Sequence, residues 1–239
     1  MIMSRPDPSV AVRALKSAAP YIRMYKNKVF VIKAGGAVFS DEISTRSLIE
    51  QVAILHQVGI KTVLVHGGGP QLDSLQASLG IETRMVNGRR VTDQKSIDVT
   101  SMVLNGLINT RILGMCRDLN IDAVGISGVD AGLVRAHRRP PVKVGTSSEL
   151  VDYGFVGDID GIDTTVLRKL LDNGLMPVVS PLSADETGVL LNINADTVAA
   201  AIGAALGAEK LRVWNTLPSF FGKPCAQPRA IAASLSTKM

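Results

Sequence analysis

A lysine and two runs of glycine stand where two apolar segments end. Lys33 and Gly35-Gly36 follow Val29-Phe30-Val31-Ile32, and Thr62-Val63-Leu64-Val65-His66 runs into Gly67-Gly68-Gly69-Pro70-Gln71. Successive glycines let the backbone turn its N–H groups toward one point, as a helix N-terminus does, so each corner is suited to hold an anion. Two such corners in one parallel sheet open on its carboxyl edge, where α/β proteins bind ligands. The implied chemistry is that of phosphate or carboxylate groups.

Further along, Asn87-Gly88-Arg89-Arg90-Val91-Thr92 contains a hairpin turn, and its arginine is either a solvated hairpin residue or a carboxylate clamp. In Asn192-Ile193-Asn194-Ala195-Asp196, Asn194 caps a helix and Asp196 falls in its first turn. Cys116 and Cys225 lack metal-ligand spacing, as do the three histidines. Free thiols and no protein metal cage are expected.

The elements that must position these groups read as alternating strands and helices. A helical pattern over 10–27 is interrupted by Pro20, which predicts a kink or a division; it serves either its own domain or as an arm docking on another subunit. A strand over 28–32, a helix opened by Ser40-Asp41-Glu42 and ended by Gly59, and a strand over 61–65 form a right-handed βαβ unit. Helices follow over 71–79 and from Thr92 or Asp93 toward Asn120, then a strand over 123–126. The segment 133–144, with Arg135, His137, Arg138 and Arg139, reads as an exposed loop or hairpin, with phosphate binding as the alternative. A short strand over 153–159, a helix over 164–173, a strand over 176–180 and an alanine-rich helix over 197–206 complete the pattern.

The chain has 239 residues, 46% of them hydrophobic and only 4% aromatic, so the core should be aliphatic. The first residues carry no apolar run of signal-peptide length and no stretch approaches a membrane span, which predicts a cytoplasmic protein without membrane contact. The net charge is +5, and Lys210, Arg212, Lys223, Arg229 and Lys238 stand in a terminal stretch without acids. This local excess comes without an RNA- or DNA-binding motif, so a nucleic-acid partner is not expected.

Four segments in chain order, Ile32-Lys33-Ala34-Gly35-Gly36, Val65-His66-Gly67-Gly68-Gly69-Pro70, Asn87-Gly88-Arg89-Arg90-Val91-Thr92 and Asn192-Ile193-Asn194-Ala195-Asp196, resemble the amino acid kinase family. Within it they are most similar to the branch that phosphorylates N-acetyl-L-glutamate in arginine biosynthesis. The resemblance implies an α/β fold, a three-layer αβα sandwich with a mainly parallel central sheet, its C-terminal part incomplete. It divides the chain into a helical arm (1–27), an acid-substrate lobe (28–182), the start of a nucleotide-binding lobe (183–210) and an atypical tail (211–239). It implies that Lys33 meets the transferring phosphoryl group, assisted by N–H groups at Gly36 and Gly68, with Lys33, Gly35 and Gly36 toward the nucleotide. Gly68, Gly69 and Arg90 would hold the substrate's carboxylate, Asn192 would orient it, and Asp196 would organise the lysine. ATP with Mg²⁺ carried by the nucleotide, and a homo-oligomer (a dimer, or a hexamer built through the N-terminal helix), are implied as well.

The physical chemistry agrees with those roles. Joining two anions requires positioning and positive charge, while a carboxylate acceptor is already deprotonated near neutral pH and needs no histidine or cysteine base. From about Arg212 the similarity lapses, which predicts a foreign tail with exposed Trp214 and Phe220-Phe221 and much of the nucleotide lobe missing. Two alternatives stay open: an inactive acid-binding or regulatory remnant, and a kinase for an aspartate or aminoadipate derivative.

Overall fold

A computed structural model describes residues 8–143 and 150–214. The expectations for Phe220, Phe221, Cys225 and the tail beyond Trp214 fall outside these residues. Five strands form an all-parallel sheet in the order β13 (Lys210–Trp214), β1 (Val29–Ala34), β2 (Lys61–His66), β10 (Met176–Ser180), β5 (Ala123–Ser127). Its central strands read as nearly unbroken apolar runs because both faces are buried. Alternation along β1 sends Ile32 to one side and Val31 to the other.

On Ile32's side, Leu64 and Val178 of the sheet pack with α2 (Glu42–Gln57) through Leu48, Ile49 and Val52, with α3 (Gly69–Ser78) through Leu72, and with a long helical run through Val99, Val103, Leu104, Ile108 and Ile112. On Val31's side, Val63, Val65 and Val179 meet α6 (Thr165–Asp172) through Leu167 and Leu171, and α7 (Ala195–Leu206) through Val198, Ala199 and Ile202. The result is the αβα sandwich implied by the resemblance. Capping follows the sequence: Asp41 and Asp93 accept from the N–H groups of Ser44 and Ser96 at 2.7 and 2.8 Å, and Asn194 caps α7.

The long helical run is not uniform. It passes from α4 (Gln94–Ser101) through a π-helical stretch, Met102–Asn109, into α5 (Thr110–Asp118). Such widened turns recur at functional sites, and this one lies against the glycine corner described below. The hairpin of β3 (Met85–Val86) and β4 (Arg89–Arg90) turns through Asn87 and Gly88, both at positive φ (46° and 71°), as a type I′ turn requires.

Three expectations are corrected. The helix α1 (Pro8–Tyr25) runs through Pro20 as one element, so of the expected kink or division it is the division that fails. The segment expected as an exposed loop or hairpin contains β6 (Val134–Arg138), which buries Val134 and Ala136 and pairs with β9 (Gly157–Ile162) in a second, four-stranded sheet. The alternation Val-Arg-Ala-His-Arg is that of a half-buried strand, and its density of charge masked the period. Trp214 is buried, with Arg212 beside it inside β13, because Ile32, Lys33 and Ala34 of β1 pair in register with Arg212, Val213 and Trp214. Sheet pairing therefore continues past the point where the tail was expected to begin.

The second sheet, in the order β12 (Leu190–Asn192), β11 (Leu182–Ala184), β6, β9, grows directly out of the first. β10 continues through Pro181 into β11, so Asn192 arrives beside the carboxyl edge of the large sheet.

Candidate active site

The two corners stand side by side because their strands are neighbours in register, Lys33 opposite Val65 and Ala34 opposite His66. Gly67 donates its N–H to the Ala34 carbonyl at 2.8 Å, and Gly35 donates to that of Trp214 at 2.7 Å. Gln71, on α3, reaches across to donate to the Gly36 carbonyl at 2.9 Å. Space, more than backbone angle, selects glycine here. A Cβ on Gly36 would lie 2.7 Å from the Pro70 side chain and 2.9 Å from the Gly69 nitrogen, and one on Gly68 would lie 2.5 Å from Ile108 and 2.7 Å from Leu104 of the π-helical stretch.

Strand periodicity places Lys33 on Val31's face of the sheet, the face that α7 covers. Its side chain is nearly buried, and its Nζ lies 3.0 Å from Asp196 Oδ1 in the first turn of α7. Asp196 is half exposed, so it balances the lysine from the mouth of a cleft. Asn194 orients this turn by accepting from the N–H groups of Asp196 and Thr197 at 2.8 and 3.2 Å.

The cleft has a volume of about 410 Å³, and Lys33, Gly35, Gly36, Gly68, Gly69, Arg90, Asn192 and Asp196 all border it. The residues that the resemblance assigns to the site therefore border one cleft at the carboxyl sheet edge. Arg90 is held by α3 and the loop after it: Nη2 donates to Asp73 at 2.6 Å, and Nη1 donates to Gln76 at 2.8 Å and to Thr83, beyond the helix, at 3.2 Å. Its charge is thus fixed in place and partly balanced before any ligand arrives. The Asn192 amide lies 3.4 Å from the Thr92 hydroxyl.

Sequence reasoning gave no role to His66, Asn105 and Asn109, which lie behind the corner. His66 is fully buried, and burial lowers its pKa to about 4, so it is neutral near pH 7. Asn109 donates to the Val178 carbonyl at 3.0 Å and faces His66 Nε2 at 3.3 Å, while Asn105 bonds Ser180. The available signal was a pair of asparagines four residues apart in an otherwise apolar helical run. Burial pushes the Cys116 thiol up to about 12, which removes it as a nucleophile.

A model of the amino acid kinase family matches residues 28–224. The chain belongs to the amino acid kinase family. The match begins after α1 and continues past β13, beyond the expected lapse of similarity.

Among the relatives of this kinase chain is acetylglutamate kinase from Myxococcus xanthus (strain DK1622), 47% identical over 210 residues, covering 86% of this chain and 67% of the relative. The acetylglutamate kinase of Thermosynechococcus vestitus (strain NIES-2133 / IAM M-273 / BP-1) is 43% identical over 200 residues, covering 84% and 65%. The chain thus spans about two thirds of the length of these relatives. Among solved structures, N-acetylglutamate synthase from Neisseria gonorrhoeae complexed with coenzyme A and N-acetyl-glutamate superposes with a TM-score of 0.72 at 27% identity, covering 95% of this chain and 52% of that one. Among the described residues no helix is long and apolar enough to cross a membrane, and no group of three or more His, Cys, Asp or Glu could hold a metal ion.

Proposed function

We propose that this kinase transfers the γ-phosphoryl group of ATP to the side-chain carboxylate of N-acetyl-L-glutamate, releasing ADP and an acyl phosphate, as a step of arginine biosynthesis. The observation that carries the reading is the convergence of Lys33, both glycine corners and Asp196 on one cleft. The names of the relatives at 47% and 43% identity support the choice of acid.

Repulsion between ATP and a carboxylate is the barrier that the site must lower. The Lys33 ammonium, already desolvated, draws the moving phosphoryl group without first shedding a full hydration shell. The Gly36 and Gly68 N–H groups assist it as oriented dipoles, with Gly35 beside them on the nucleotide side. Gly69 and Arg90 hold the acid's carboxylate and Asn192 orients it, so the acceptor oxygen is positioned before transfer. Asp196 keeps the lysine extended toward the cleft. Mg²⁺ would travel with the nucleotide and neutralise its phosphates, and Asp196 is the carboxylate that lines the cleft.

The finer organisation belongs to the same proposal: residues 28–182 as the acid-substrate lobe, 183–210 opening the nucleotide lobe, and a cytoplasmic homo-oligomer. Leu15, Tyr21 and Met24 on α1 are exposed apolar side chains suited to subunit contact. The test is ADP release with ATP, Mg²⁺ and N-acetyl-L-glutamate, with the acyl phosphate trapped as a hydroxamate. Turnover with this acid and not with aspartate or an aminoadipate derivative supports the reading. Acid binding without ADP release overturns it in favour of a binding remnant.

A further inference from the structure

Behind the second glycine corner lies a chain of hydrogen bonds whose direction can be worked out. The Val178 carbonyl can only accept, so the Asn109 group facing it at 3.0 Å is the amide NH₂. The same NH₂ lies 3.3 Å from His66 Nε2, which therefore accepts. A neutral imidazole carries one proton, leaving it on Nδ1, and Nδ1 lies 3.2 Å from the Gly67 carbonyl, again an acceptor only. Each donor meets an acceptor at every link.

The last link reaches the cleft. The Gly67 carbonyl and the Gly68 N–H belong to one planar peptide and point in opposite directions. Holding the carbonyl back toward His66 thus holds the N–H away from it. Gly68 borders the cleft while His66 is wholly buried.

We propose that Asn109 fixes His66 as its Nδ1–H tautomer, and that His66 in turn fixes the Gly67–Gly68 peptide, making both of them positioning residues for the Gly68 N–H. This rests on the reading of Gly68 as a donor to the transferring phosphoryl group. Gly125, on β5, belongs to the same device, because a Cβ there would overlap the Asn109 side-chain oxygen. The π-helical stretch supplies Asn109 at one end and, through Leu104 and Ile108, packs against Gly68 itself.

The test uses the full chain labelled with ¹⁵N-histidine. Only three histidines are present, so the His66 signal is identified by its loss in His66→Asn. The wild-type spectrum should show His66 protonated at Nδ1 and unprotonated at Nε2, and Asn109→Leu should weaken that preference. In ADP-release kinetics, His66→Gln and Asn109→Leu should lower kcat by roughly tenfold to a hundredfold, within the loss expected for one misplaced donor, while KM for the acid changes far less. His66→Asn, whose amide reaches the Nδ1 position, should keep more kcat than His66→Gln, whose amide reaches that of Nε2. A proton on Nε2 of His66 in the wild type overturns the proposal whatever the kinetics of the variants. Equal losses in the two His66 variants, or a loss confined to KM, also overturn it. If the wild type releases no ADP with N-acetyl-L-glutamate, the functional reading fails, and the tautomer measurement still decides the hydrogen-bond chain.

Discussion

Positive charge gathers in two places in this kinase and is handled in opposite ways. On the second sheet, Arg138 pairs with Asp152 at 2.9 Å and Arg139 with Asp158 at 2.5 Å, while His137 lies 2.7 Å from Asp160. These three side chains are turned toward neighbouring acids at or beside the second sheet. In the cleft, Lys33 is nearly buried, its acid partner is half exposed, and two glycine corners stand beside it. The second sheet has more cations, but the cleft has the desolvated one with oriented backbone dipoles around it. Placement at the carboxyl edge of a parallel sheet decides function here, and charge count does not.

The contrast is broken most directly at Lys33. Lys33→Met should lower kcat by about 10²–10³-fold, the usual cost of removing one donor aimed at the transferring group. Asp196 is left at the cleft mouth where water can solvate it, so the fold should survive. A thermal melt beside the ADP-release assay checks both halves. Lys33→Arg should not restore activity, because a planar guanidinium does not occupy the ammonium's buried position.

The next effect lies behind the corner and is one of stability. Burial holds His66 near 4, below its unfolded value of about 6.5. The unfolded chain therefore takes up a proton that the native state refuses, and stability should fall as pH drops from about 6.5 to about 4. The cost is roughly 3 kcal/mol, from 1.36 kcal/mol per pH unit. Urea melts across that range should show the slope in the wild type and its loss in His66→Asn.

How much of this was legible in the sequence depends on the kind of signal. The large sheet was visible because strands buried on both faces read as apolar runs, and the corners because glycine at a strand end has few structural uses. The roles of Lys33, Arg90, Asn192 and Asp196 came from motif resemblance, and their meeting depends on sheet register that no local pattern carries. β6 was missed because charge obscured its period, and β13 because Trp214 is an unusual residue for an aliphatic core. The partners of His66 were illegible: Asn109 is 43 residues away and reaches it only through the widened helical turn.

A smaller effect sharpens the comparison on the cleft side. Gly68→Ala places a Cβ 2.5 Å from Ile108 and 2.7 Å from Leu104, both core residues of the π-helical stretch. The expected destabilisation is about 1–3 kcal/mol, the usual range for overpacking, read from the urea midpoint. Ile108→Val in the same chain should recover part of it. Gly69→Ala, with open space around its Cβ, should leave stability nearly unchanged.

The second sheet supplies the smallest effect and the control. Arg139 grips Asp158 through Nε at 3.0 and 3.1 Å and Nη2 at 2.5 Å. The hydrogen bond from Arg139 holds the Asp158 carboxyl below its usual range, against the opposing effect of burial. A carboxyl depressed in the folded state stabilises above its unfolded value of about 3.9, and that contribution disappears as pH falls through the lower folded value. Asp158 is 40% exposed, so solvent screening limits the pair to under about 1 kcal/mol. Arg139→Gln should therefore flatten the acid limb below about pH 4, leave the His66 slope above it intact, and leave kcat at the wild-type value. A fall in kcat in this variant would mean that the second sheet contributes to turnover, and the contrast between the two charged regions would no longer hold.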